Sequence, residues 1–151
     1  MESKADIEQL LRDGNTVQTV INGYSMYPML VPGRDSVILA PFQAEQPKRG
    51  DVVLYRRDNS ILVLHRIWRV RQEGLYLVGD NQTEIEGPLR LDQVRGRLVG
   101  FVRKGRHISV NGILYRLYAA VWLRMRPFRH QAAVAVHFLK GCCKKINHFS
   151  R

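Results

Sequence analysis

Hydrophobic and polar residues alternate through most of the first hundred positions. Short runs rich in β-branched residues occupy residues 16–22, 36–40, 51–56, 61–70, 75–79 and 94–102. Turn residues separate these runs, among them Pro32-Gly33, Asp58-Asn59 and Gly87-Pro88. Such punctuation between apolar or alternating segments is typical of strands in a compact, mostly antiparallel sheet. We therefore predict a mainly β domain.

Apolar residues at both ends of the chain have helical spacing instead. Residues 5–13 place their apolar side chains on one face of a short helix. After residue 105 a second apolar stripe follows the helical period, formed by Ile113, Leu114, Leu117, Tyr118, Val121 and Trp122. Pro127 is expected to end or kink this helix, and a second basic helix is predicted at residues 128–140. We divide the chain into a β domain with its leading helix, residues 1–105, and a basic amphipathic helical extension, residues 106–151.

The formal net charge of +11 lies in residues 103–151, which are that extension and the three residues before it. Residues 1–102 hold 13 Lys/Arg and 13 Asp/Glu, whereas residues 103–151 hold 11 Lys/Arg and no acid. A basic amphipathic helix is attracted to anionic lipid, so we predict membrane-surface binding through Leu117, Tyr118 and Trp122. The alternative is that the stripe packs on the sheet. Nucleic acid is the less favoured partner, because no nucleic-acid-reading motif accompanies the charge.

Length and composition exclude several classes of protein. The 151 residues suffice for one domain with its own core. The longest apolar run, residues 117–123, is too short for a membrane-spanning helix, and the N-terminal residues lack a signal-peptide pattern. We predict a cytoplasmic protein, with peripheral binding to the inner membrane face. The adjacent Cys142 and Cys143 are too few for a zinc site, and we predict neither metal nor cofactor.

The candidate chemistry begins at Ser25, in the segment Gly23-Tyr24-Ser25-Met26-Tyr27-Pro28 ahead of a strand-like run. A serine hydroxyl becomes a useful nucleophile only when a neighbouring base takes its proton. His65 is the only histidine in the predicted β region, and an imidazole suits a general base at neutral pH. Ser25 and His65 are therefore the predicted catalytic pair. The alternative for His65 is a buried core histidine, because alternation along the strand places it on a mainly apolar face with Ile61, Val63 and Ile67.

A third, acidic residue would orient the imidazole. Asp80, in Gly79-Asp80-Asn81, is our first candidate, and Glu84 and Glu86 just beyond it remain alternatives. Gly-Asp-Asn is also an ordinary turn sequence, in which the aspartate bonds nearby backbone amides.

The residues beside Ser25 carry the substrate prediction. Four of them are soft, aromatic or rigid and are predicted to line a groove for an extended peptide: Tyr24, Met26, Tyr27 and Pro28. The same residues fit a core position equally well. Backbone amides at Ser25 and a neighbour are candidates for an oxyanion hole.

Taken together, these blocks resemble the S24/S26 peptidase superfamily, which contains the type I signal peptidases and the LexA-like self-cleaving domains. The resemblance covers about residues 16–106 and rests on four segments in order: Gly23 to Pro28, Gly50-Asp51-Val52-Val53, Val63-Leu64-His65-Arg66-Ile67 and Gly79-Asp80-Asn81. It implies a coiled antiparallel β-sheet domain of the LexA and signal-peptidase type. It also implies a serine nucleophile and a general base, which is lysine in most of the family.

Histidine at the base position is similar to the Ser-His variant of signal peptidases from the endoplasmic reticulum, archaea and some spore-forming bacteria. The overall likeness is to small soluble members from clostridia-like bacteria. Two features depart from the family pattern: the chain shows no membrane anchor, and residues 82–86 replace the usual run of aspartates. The expectation is a serine endopeptidase that cleaves a peptide or a leader-like segment. The alternatives are a LexA-like self-cleaving regulatory domain and a non-catalytic module that binds peptide or a membrane surface.

Overall fold

The fold is a single antiparallel sheet with two short α-helices, seen in a computed structural model that describes residues 6–43, 47–58 and 60–128. Within those residues eight strands occur: β1 (Val17–Val20), β2 (Asp35–Pro41), β3 (Val52–Arg56), β4 (Leu62–Arg71), β5 (Gly74–Val78), β6 (Glu86–Leu89), β7 (Val94–Arg103) and β8 (Arg106–Ser109). They pair in the order β1-β2-β7-β3-β4-β5-β6, and β8 pairs with β7. The predicted mainly β, antiparallel architecture is confirmed.

One helix precedes the strands along the chain and the other follows them. Helix α1 (Ile7–Arg12) starts at Asp6, whose side chain accepts a hydrogen bond from the Glu8 N–H and so caps the first turn. Helix α2 (Ile113–Arg124) ends two residues before the 3₁₀ turn that contains Pro127. In the described part of the chain, neither helix is long and apolar enough to cross a bilayer.

Side chains alternate across β3 and β4, so the two faces of these strands face different apolar clusters. The first cluster includes Leu11, Met26, Leu30, Leu39, Leu54, Leu98 and Phe101. The second cluster includes Val53, Tyr55, Ile67, Leu75, Leu77 and Leu89. The predicted apolar face with Val63 and Ile67 belongs to the second cluster, and His65 lies on that face.

Two strands were absent from the sequence prediction. Strand β6 contains the Gly87-Pro88 pair that predicted a turn, and β8 is short and polar. Because β8 forms a hairpin with β7, the boundary predicted at residue 105 falls inside that hairpin. Tyr115 and Ala119 of α2 also join the first core cluster, so residues 106–128 pack as part of the β domain. The predicted second basic helix beyond Phe128, and Cys142 and Cys143, lie outside the described residues.

Candidate active site

Ser25 lies on a turn that is fixed at several points. Gly23 has φ +85°, a left-handed conformation that favours glycine, and this starts the turn. Met26 and Leu30 follow with exposures of 3% and 0%, so their side chains anchor the turn in the core. On the other side, the Ser25 carbonyl accepts a hydrogen bond from the Asn81 N–H at 2.8 Å. Ser25 is therefore held half-buried between the core and the loop after β5.

An ion cluster holds the far end of the same turn. Asp35 is buried and accepts hydrogen bonds from Arg34, Arg103 and the Val31 N–H. Arg34 and Arg103 also donate to the carbonyl of Met29. Burial opposes ionisation of Asp35, but the hydrogen bonds from Arg103 and Arg34 outweigh it and lower its pKa to about 2. The turn that carries Ser25 thus has little freedom at either end.

His65 lies on β4 opposite Val53 of β3, with its side chain almost fully buried. Its Nδ1 is 3.1 Å from the hydroxyl of Tyr55 and 3.5 Å from Oε2 of Glu86. Tyr55 is two residues along β3 on the same face, a diagonal neighbour of His65 across the pair. Tyr55 was not among the residues predicted from the sequence.

The hydrogen bonds around Tyr55 fix the tautomer of His65. Tyr55 is 2.6 Å from Glu86 Oε2, and an ionised carboxylate only accepts, so the single hydroxyl proton of Tyr55 is donated to Glu86. The Tyr55 oxygen is then the acceptor for His65, which must carry its proton on Nδ1. This leaves Nε2 as the unprotonated nitrogen, and it makes no hydrogen bond to any described residue. A neutral imidazole with its free lone pair on Nε2 is the tautomer that can accept a proton at that nitrogen.

Burial and the neighbouring charges set the ionisation of His65 and Glu86. Burial lowers the pKa of His65 most, the charges of Glu86 and, less, Asp80 raise it in part, and Arg57 lowers it further, so the net direction is downward. Burial alone would raise the pKa of Glu86, but hydrogen bonds from Arg57 and Tyr55 outweigh it and lower that pKa. At neutral pH the site therefore holds a neutral His65 beside an ionised Glu86. Arg57 pairs with Glu86 from the exposed side.

Ser25 and His65 line the same groove, which has a volume of about 550 Å³. They are forty positions apart in sequence and reach it from different elements. The groove walls are largely apolar and include Val20, Ile21, Met26, Leu54, Ile61, Leu62, Val63 and Leu64. Ser25 makes no side-chain hydrogen bond to a described residue, so the bond between its hydroxyl and His65 is not formed in this structure. The predicted pair lines one groove without a hydrogen bond between the two side chains.

Two unpaired strand edges border this groove. Strand β1 pairs only with β2 among the described strands, which leaves its other edge open. In β4, residues 62–65 pair with β3 on one side, whereas pairing with β5 begins only at Arg66. Val20 and Ile61 beside these edges are apolar yet 72% and 63% exposed. Open edges with apolar side chains between them form a surface to which an extended peptide can add as a strand.

Asp80, our first candidate for the third residue, lies in a different environment. Both of its carboxylate oxygens accept hydrogen bonds from Arg66, at 2.8 and 2.7 Å, and both side chains are fully buried. Arg66 also donates to the Gly50 carbonyl and to the Tyr115 hydroxyl. The residue 3.5 Å from His65 Nδ1 is Glu86, so the structure favours this alternative as the acidic partner. Among the three predicted acids, Asp80, Glu84 and Glu86, the geometry therefore favours Glu86 over our first candidate.

The prediction that Tyr24, Met26, Tyr27 and Pro28 line the peptide groove also needs correction. Tyr24 and Tyr27 are 61% and 48% exposed, and neither they nor Pro28 line the groove. Met26 lines it from the core. The walls come instead from β1, β4 and the segment before Ser25. A candidate oxyanion donor is present, because the Ser25 N–H makes no hydrogen bond to the described residues.

The described residues contain no cluster of three or more His, Cys, Asp or Glu side chains that could hold a metal ion. The side chains described above supply a hydroxyl, a neutral imidazole and a carboxylate that is joined to the imidazole through Tyr55. Comparison of the chain with models of known protein families and with curated protein sequences finds no match.

Proposed function

We propose that this protein is a serine endopeptidase of the signal-peptidase-like, Ser-His type. The observation that supports the proposal best is the shared groove: Ser25 and His65 line one apolar surface between two open strand edges. Behind His65, Tyr55 and Glu86 supply the orientation that a general base needs. The substrate class is an extended segment of a peptide or protein, cleaved where it crosses Ser25.

In the proposed reaction the peptide fills the gap between β1 and the start of β4. As Ser25 attacks the scissile carbonyl, Nε2 of His65 takes the hydroxyl proton, and the Ser25 N–H donates to the developing oxyanion. The imidazolium then gives that proton to the leaving amine. Its transient positive charge is stabilised by ionised Glu86 through Tyr55. Water hydrolyses the acyl-enzyme with His65 again acting as base.

A peptide-library digest followed by mass spectrometry tests the proposal. Wild type is expected to yield discrete fragments, and Ser25→Ala none. Ser109→Ala is the matched control, because Ser109 lies on β8 away from the groove, and it should cleave like wild type. Fragments that persist in Ser25→Ala would overturn the assignment of the nucleophile.

The absent bond between Ser25 and His65 favours one further candidate, a peptide-binding module with the same groove and no turnover. It predicts that peptides bind wild type and His65→Ala equally well, and that wild type hydrolyses none of them at any pH. Hydrolysis of any library peptide that requires Ser25 would exclude this candidate.

A further inference from the structure

A second and larger cavity, of about 710 Å³, lies between the 48–52 segment, strand β7 and helix α2. Five cationic side chains line it: Lys48, Arg49, Arg97, Arg116 and Arg124. None of the five forms an ion pair with a described residue. The lining contains one acid, Asp51, whose carboxylate accepts the Lys48 N–H. So many uncompensated cations around one cavity create a potential that attracts phosphate-type anions.

Helix α2, which supplies Arg116 and Arg124 to this cavity, also carries an uncovered apolar face. Its buried positions are Tyr115, Ala119 and Leu123, which pack on the domain. The apolar face is formed by Ile113, Leu114, Leu117, Val121 and Met125, with exposures from 83% down to 41%. At 3.6 residues per turn these five positions cover about a third of the helix circumference, and Arg124 lies within the same arc.

This structure changes the residues that we expected to contact a membrane. Tyr118 and Trp122 are half-buried and stacked on each other, and the Trp122 indole N–H donates to the Asp80 carbonyl. Of the three predicted residues, Leu117 alone belongs to the exposed apolar face. The helix therefore uses its aromatic pair to pack on the domain and presents aliphatic side chains to the outside.

We propose that the cationic cavity and the aliphatic face of α2 together bind the surface of an anionic lipid bilayer, with a headgroup phosphate in the cavity. An aliphatic face beside unpaired cations matches acyl chains beside phosphates. Nucleic acid offers the same phosphates, but its bases stack on aromatic side chains, which this face lacks. A second copy of the chain would bring five like charges against five others, which opposes association. The proposal is independent of the peptidase assignment.

Vesicle co-sedimentation of the full chain tests the proposal. The probes are vesicles of phosphatidylcholine alone and of phosphatidylcholine with an equal part of phosphatidylglycerol. Wild type should bind only the second kind, and Arg116→Gln with Arg124→Gln should weaken that binding by roughly 30-fold, since each basic residue near the surface contributes about fivefold. Arg116→Lys with Arg124→Lys should restore most of the binding and so exclude a folding defect.

The matched control removes two charges elsewhere, by Arg71→Gln with Arg106→Gln, both exposed and outside the cavity. If this pair weakens binding as much as the cavity pair, net charge alone is responsible and the proposal is wrong.

Leu117→Ser with Val121→Ser should abolish the binding that survives at high salt. Free inorganic phosphate that competes fully with vesicles would show a soluble-anion site instead. Binding of an oligonucleotide without vesicle binding, or dimerisation lost in the serine pair, would also overturn the proposal.

Discussion

His65 and Arg66 are neighbours on β4, and their side chains point to opposite faces of the sheet. The two side chains differ in how completely their polar atoms are paired. Arg66 is fully buried and paired through both carboxylate oxygens of Asp80, with Gly50 and Tyr115 as further partners. His65 keeps Nε2 free of any described partner, beside a groove. A saturated ion pair is suited to holding structure, whereas an imidazole with one oriented and one unpartnered nitrogen is suited to proton transfer. The comparison teaches that the acid of the Gly-Asp-Asn motif, Asp80, pairs with Arg66, whereas the acid that reaches His65 is Glu86 on strand β6.

The largest effect on stability should come from the Arg66 side. Asp80→Ala leaves the Arg66 guanidinium buried without its counter-ion, which is expected to lower the free energy of unfolding by about 3–5 kcal/mol. Glu86→Gln is the matched change on the His65 side, where the ion pair with Arg57 is half-exposed and should contribute less than about 1 kcal/mol. Denaturant unfolding of both variants provides the measurement. Equal losses would remove the distinction between the two sides.

The largest effect on catalysis should come from the His65 side. Tyr55→Phe removes the acceptor for the His65 Nδ1 proton and breaks the link to Glu86, so kcat should fall by about a hundredfold, the low end of what a general base contributes. KM should change little, because Tyr55 does not line the groove. Tyr76→Phe is the control, since Tyr76 also donates to a glutamate but lies on β5. A fall in both variants would contradict a role specific to Tyr55.

The pH dependence should be a smaller but distinctive effect. Because burial lowers the pKa of His65 below 6.5, kcat/KM should rise with pH through an inflection below that value and stay level through neutrality. Glu86→Gln removes a charge that favours protonated His65, so the inflection should move to lower pH. An inflection above 6.5, or a shift in the other direction, would contradict this electrostatic picture.

The lowered pKa of His65 also predicts how the free energy of unfolding changes with pH. Below pH 6.5 the unfolded chain protonates this histidine first while the folded protein still excludes the proton. The contribution of His65 to the free energy of unfolding is therefore fully present above 6.5 and is lost as the pH falls. His65→Gln should flatten that part of the stability curve. An unchanged slope in the variant would show that other groups cause the acid sensitivity.

The sequence predicted the strand pattern because alternation and turn residues depend on local chemistry. It predicted Ser25 and His65 for the same reason, as a turn serine and a lone histidine in a strand. Strand β6 was missed because its Gly87-Pro88 pair is a turn signal, and here Gly87 takes φ +145° within the strand. Strand β6 is recognised only from its pairing with β5, which local sequence patterns do not reveal.

Tyr55 illustrates that limit. In sequence it is an ordinary strand tyrosine, and its role appears only in the register of β3 and β4, which places Tyr55 opposite Val63 and diagonal to His65. The turn after Arg57 could have suggested that register, because a hairpin loop fixes the pairing that follows it. Glu86 lies on strand β6 and reaches Tyr55 of β3 only in the folded sheet. The preference for Glu86 over Asp80 therefore required the tertiary structure.

The most direct measurement is the rate at which a serine-directed acylating probe modifies Ser25 in wild type and in His65→Ala. We expect the rate to fall by about 10²–10⁴, the contribution of a general base. His107→Ala, which changes an exposed histidine on β8, should react at the wild-type rate. Equal rates in wild type and His65→Ala, or equal labelling of Ser25→Ala, would show that Ser25 and His65 do not act together.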